Sequence, residues 1–121
     1  MKEGLRPRFK LWLSTRDAEG AFGDGKWRLL DAIQREGSLM AAATELGMSY
    51  RKAWGDLKKA ERSLDVSLVE RRRGGISGGE TRLTEAGRVW LEAYSEFRSD
   101  VDDAISSAFT AHIESLERRN K

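Results

Sequence analysis

Ser49, Tyr50, Arg51 and Lys52 stand in succession at the start of a helix-like pattern, and Lys59 lies further along it. A second basic run, Arg71, Arg72 and Arg73, leads straight into Gly74 and Gly75, with Ser77 in the same glycine-rich segment. These groups carry positive charge and hydrogen-bond donors, but none is poised to make or break a covalent bond. Guanidinium and ammonium groups pair with phosphates and reach the O6 and N7 acceptors of guanine. A tyrosine stacks, touches a thymine methyl or binds a phosphate; a serine caps a helix and donates to a backbone oxygen. Arginines at the base of a glycine loop suit phosphate or minor-groove contact beside a main groove. The chemistry on offer is recognition of a polyanion.

The remaining composition narrows the field in the same direction. With no cysteine, the 121-residue chain has no disulfide framework, thiol nucleophile or cysteine-based zinc site. Its one histidine, His112, lies in a charged C-terminal stretch, which excludes a histidine-rich metal site. No carboxylate pair or nucleophile stands out, so neither an enzyme nor a cofactor is expected. The glycine run is not a nucleotide phosphate loop, because Gly79 is followed by Glu80 rather than by a Gly-Lys-Ser/Thr ending that opens a helix. Residues 1–30 hold no apolar run long enough for a signal peptide or a membrane span, so a soluble, cytoplasmic protein is expected. The net charge of +2 is unevenly spread: residues 51–83 carry nine basic and five acidic groups, residues 84–121 five basic and eight acidic. The basic middle suggests an anionic partner.

Local patterns indicate the elements that would position these groups. Residues 8–14 alternate, with Phe9, Leu11 and Leu13 on one face and Lys10 and Trp12 on the other, which is strand periodicity. Residues 17–25 read as a glycine-rich loop. A helix is predicted over 26–35 from Trp27, Leu30, Ile33 and Gln34, ending at Gly37. Ser38 caps a second helix over 39–46, Gly47 ends it, and Ser49 caps a third over 50–64. A strand over 67–72, a glycine turn and a returning strand over 81–83 make a hairpin. Thr84 caps a long helix running towards Arg118, about 50 Å if unbroken, with Ser99 and Asp102 marking a candidate break. The expected fold is mainly α with a small β component, in the order of a winged helix-turn-helix.

That motif makes specific demands. Its second helix lies in a major groove while the first braces it from behind. Ala41, Ala42 and Ala43 permit close packing of the bracing helix, and Gly47 supplies a positive φ at the turn. Ala53, Leu57, Ala60 and Leu64 form the buried stripe of the recognition helix, with Trp54 beside it. Ser49, Tyr50, Arg51, Lys52, Asp56 and Lys59 then face outward, and Asp56 is expected to pair with Lys52 four residues earlier. Ser38, at the head of the bracing helix, joins the expected DNA-binding set.

The segments "LLDAIQREGSLMAAATELGMSYRKAWGDL" and "LVERRRGGISGGETRLTEAGR" resemble the N-terminal DNA-binding domain of ModE-type molybdenum-responsive regulators, relatives of the LysR-type winged helix-turn-helix. The resemblance covers roughly residues 8–94. It implies a homodimeric transcriptional regulator of double-stranded DNA, linked to molybdate or oxyanion metabolism, with "SYRKAW" opening the recognition helix and "RRRGGISGGE" as the wing. Full-length members carry C-terminal oxyanion-binding domains. The present sequence runs about 25 residues past the match, so molybdate binding is carried over to no residue and the effector stays unknown.

Along the last helix, Trp90, Tyr94, Phe97, Val101, Ile105 and Ala108 recur at steps of three and four, the spacing of a dimerisation seam. Residues 1–84 are therefore expected to form the winged domain and residues 85–121 a dimerisation segment. A protein-binding adaptor is the alternative function, with the acidic last helix as its docking element. The partner of the N-terminal strand, either the wing hairpin or the other chain, stays open.

Overall fold

The computed structural model describes residues 4–17, 20–72 and 79–119. Three side-chain caps set the helical frame. Ser38 Oγ accepts from Ala41 N at 3.0 Å to start α2 (Leu39–Glu45). Ser49 Oγ accepts from Lys52 N at 3.0 Å to start α3 (Tyr50–Leu64). Thr84 Oγ1 accepts from Gly87 N at 3.0 Å to start α4 (Glu85–Phe109). Each satisfies an amide that has no partner within its own helix. Gly37 closes α1 (Asp24–Glu36), and Gly47, at φ 68°, makes the turn between α2 and α3.

Apolar faces of these helices meet in one core. Leu29, Leu30 and Ile33 of α1, Leu39 and Ala42 of α2, and Ala53, Leu57 and Ala60 of α3 are buried together. The wing strands β3 (Val69–Arg72) and β4 (Glu80–Leu83) pair antiparallel, with Val69 opposite Leu83 and Arg72 opposite Glu80. Side-chain and backbone links hold this hairpin to the helices. Thr81 N donates to Gly37 O at 3.0 Å while its Oγ1 accepts from Leu39 N. Glu61 Oε2 accepts from Leu68 N at 2.7 Å, tying the end of α3 to the start of the wing.

The N-terminal strand does not pair with the wing. β1 (Trp12–Leu13) pairs antiparallel with β2 (Phe22–Gly23), inside the segment expected to be a loop. The expected alternation holds: Phe9, Leu11 and Leu13 are half-buried, whereas Lys10 and Trp12 are exposed. Gly23 is needed for close approach, since a Cβ there would sit 2.6 Å from the Trp12 Cβ. Phe22 is fully buried, its ring 5.1 Å from that of Tyr94 and 5.3 Å from that of Trp90.

Those contacts take Tyr94 out of the expected seam by burying it in this chain's own core, and Trp90 packs half-buried against that core. The core therefore continues past residue 84 into the first turns of α4. Its outward continuation begins at Phe97, which is 42% exposed. No break occurs at Ser99. The helix instead runs to Phe109, passes through a wider π turn (Thr110–Glu114), and ends in α5 (Ser115–Arg119).

Candidate nucleic-acid interface

One side of α3 is locked in the core, which leaves the opposite side to solvent. Arg51, Gly55 and Lys59, spaced four residues apart, are all exposed there. Arg51 makes no hydrogen bond or ion pair among the described residues. Lys52 Nζ lies 2.9 Å from Asp56 Oδ2, the expected pair. The helix therefore presents an unneutralised guanidinium in its first turn, where a recognition helix reaches base edges.

The wing lies against one flank of α3. Arg71 Nη2 donates to Tyr50 Oη at 2.6 Å, and its guanidinium sits 4.9 Å from the Trp54 ring centroid. Lys58 Nζ is also 4.9 Å from that centroid. Trp54 is thus a cationic stacking platform that joins wing to helix. Arg71 braces this junction, and Tyr50 receives its hydrogen bond. Arg72 is exposed, and its side chain makes no hydrogen bond or ion pair among the described residues. Ser38 is spent on its cap, at the edge of a groove of about 530 Å³ that Tyr50, Arg71 and Thr81 also line. Arg73, Gly74, Gly75 and Ser77 lie outside the described residues.

On the other flank, Lys26 of α1 lies within electrostatic reach of Lys52 and Lys59. Its Nζ donates to Gly20 O at 3.0 Å. Burial pushes the Lys26 ammonium below its usual pKa; Asp56 opposes this, while Lys59 and Lys52 add to it. The structure thus brings Ser49, Tyr50, Arg51, Lys52, Lys59 and Arg71 together on and beside α3, while Arg72, the next residue of the strand after Arg71, turns to the other face of the hairpin. It adds Gly55, Trp54 and Lys26, which the motif reading passed over. Gly55 carried a usable signal, because a glycine on the exposed face of a helix interior weakens the helix without need.

This arrangement defines a winged helix-turn-helix, and residues 25–88 match the family described as "Bacterial regulatory helix-turn-helix protein, lysR family". The chain belongs to that family. Among its relatives are the molybdenum-pterin-binding protein MopA of Rhodobacter capsulatus, 39% identical over 69% of this chain and 31% of the relative, and the molybdenum transport protein ModE of Azotobacter vinelandii, 36% identical over 74% and 33%. The chain thus spans about a third of the length of these relatives. The DNA-binding domain of CbnR, solved with DNA, is similar in fold, with a TM-score of 0.60 and 24% identity over 72% of this chain and 94% of that one. No helix among the described residues is long and apolar enough to cross a membrane.

Proposed function

We propose that this chain binds double-stranded DNA in a sequence-specific manner and regulates transcription as a homodimer. The observation that carries the reading is the outward stripe of α3, Arg51–Gly55–Lys59, on a helix whose other side is fixed in the core. Arg51 reads base edges, while Arg72 and the wing add backbone affinity. Arg51→Ala is expected to weaken binding to a library-selected duplex by about 2 kcal/mol and to relax its sequence preference. Arg72→Ala is expected to weaken all duplexes alike and to make the salt slope shallower by about one. Fluorescence anisotropy at several salt concentrations reads both effects. Unchanged affinity in both variants would remove α3 and the wing from the DNA face.

The homodimer forms along α4 beyond the core. Phe97, Val101, Ile105 and Ala108 continue at steps of four, four and three, and Phe97 is among the exposed large apolar groups. Two-fold pairing presents two recognition helices to half-sites about one helical turn apart or a multiple of it. The double variant Val101→Asp/Ile105→Asp is expected to sediment as a monomer where the wild type sediments as a dimer; a dimer retained at low micromolar concentration would place the interface elsewhere. The names of the molybdenum-related relatives support a regulon concerned with oxyanion handling. Duplex selection with and without molybdate and tungstate tests that link.

A further inference from the structure

We propose that the N-terminal ribbon and the start of α1 form a second flank of the DNA-binding surface, on the side of α3 opposite the wing, where Arg8, Lys10, Lys26 and Arg28 hold the phosphate backbone. The proposal rests on the reading of α3 as the helix that enters the major groove. Its basis is an open groove of about 820 Å³ lined by these four cations together with Lys52 and Asp56 of α3. The groove is therefore continuous with the candidate recognition surface and is not a separate pocket.

Its charge is unbalanced. Of the two carboxylates along it, Asp24 is already taken by Arg98 and Tyr94, and Asp56 by Lys52. Arg8, Lys10 and Arg28 make no ion pair among the described residues. Crowding like charges along one groove raises the free energy of the isolated protein, and a polyanion laid into the groove relieves it.

The ribbon is also held firmly enough to act as a flank. Leu11 N donates to Asp24 Oδ2 at 3.1 Å, and Leu11 O accepts from Asp24 N at 3.0 Å. The guanidinium of Arg98 lies 4.7 Å from the Phe9 ring centroid. A surface fixed before binding loses little freedom on binding. Trp12, 55% exposed, lines the same groove and offers its ring face to a deoxyribose. Arg8 and Lys10 of the ribbon precede the segment that the family model matches, whereas Lys26 and Arg28 lie within it.

The test uses the full chain and a duplex selected from a library by the wild-type protein. The double variant Arg8→Gln/Lys10→Gln is expected to weaken binding to selected and random duplexes alike and to make the salt slope shallower by about two, with sequence preference unchanged. Hydroxyl-radical footprinting should show phosphate protection lost on one flank only, and the opposite flank only for Arg72→Ala. The glutamate pair Arg8→Glu/Lys10→Glu should enlarge both effects, while thermal denaturation confirms that each variant folds. An unaltered slope and footprint in the ribbon variants, with Arg51→Ala still impaired, would overturn the second flank and leave the DNA reading standing. A wild type that binds no duplex at low salt would overturn both.

Discussion

Replacing Asp24 by alanine is expected to remove about 3–5 kcal/mol of folding stability, because it breaks a buried charge pair and leaves its partner stranded. Asp24 is 8% exposed at the N-terminus of α1. Arg98 Nε lies 2.9 Å from its Oδ1 and Tyr94 Oη lies 2.8 Å from the same oxygen, while Oδ2 accepts from Leu11 N. One carboxylate thus joins the ribbon, the start of α1 and the middle of α4, three elements far apart in sequence. Without it, Arg98 keeps its charge in a half-buried site, 5.1 Å from the Trp27 ring centroid, with its hydrogen-bonded counter-ion gone and the through-space charge of Asp102 left. A small domain has only about 5–15 kcal/mol in total, so a loss of this size is a large share of its stability. Urea denaturation measures the loss; a change under about 1 kcal/mol, within the range of a surface pair, would contradict the node.

The same carboxyl supplies a pH signature. Burial pushes its pKa up, but hydrogen bonds from Arg98, Tyr94 and the Leu11 amide, together with the Arg98 charge, outweigh burial and hold it below the ordinary value of 3.8. A folded pKa below the unfolded one means that the unfolded chain takes up the proton first as the medium is acidified. The contribution is therefore complete above about pH 4 and disappears as pH falls through the depressed folded value. The stability gap between wild type and Asp24→Asn should be constant from pH 6 to about pH 5 and should close in more acidic buffers.

The helix-turn-helix was legible because its signals are local. Ser38, Gly47 and Ser49 act within one turn of where they stand, and each does in the fold what its type implies. The wing strands and the Thr84 cap were legible for the same reason. Features settled by distant partners were not. Phe22 sits among glycines that suggest a loop, and only its pairing with β1 and its burial under Tyr94 make it core. The spacing of Trp90 and Tyr94 marks an apolar face on α4, but periodicity does not say whether that face meets its own chain or another. The tertiary contacts of Phe22 and Trp27 resolve it in favour of the core. At the site, the charged residues of α3 were visible by type. The bracing role of Arg71 needed a Tyr50 twenty-one residues away.

Gly55→Gln is expected to move stability and DNA affinity in opposite directions. A glycine in a helix interior costs about 0.5–1 kcal/mol relative to a good helix former. Among the described residues, nothing beyond its chain neighbours and the helix's own backbone lies within 4 Å of a Cβ built at Gly55, so no described neighbour forbids a side chain there. Gly55→Ala and Gly55→Gln should therefore both raise the thermal midpoint by a few degrees, about 4 °C per kcal/mol for a domain of this size. On the proposed DNA reading, the explanation for a glycine lies in the bound duplex. Gly55 sits one turn after Arg51 and one turn before Lys59, in the middle of the face that α3 turns towards the groove. On that reading, with both cations engaged, the helix backbone at this point would come closest to the duplex, and a glutamine side chain would meet bases or sugars that have nowhere to move. Overpacking of that kind costs about 1–3 kcal/mol, between several-fold and more than a hundredfold in affinity. Alanine, which adds one carbon, should fall between the two. Differential scanning calorimetry and anisotropy on the same preparations separate the two effects. A Gly55→Gln protein that gains stability and keeps wild-type affinity would show that α3 never approaches DNA along this face, and the recognition surface would then have to be sought around Tyr50 and the wing.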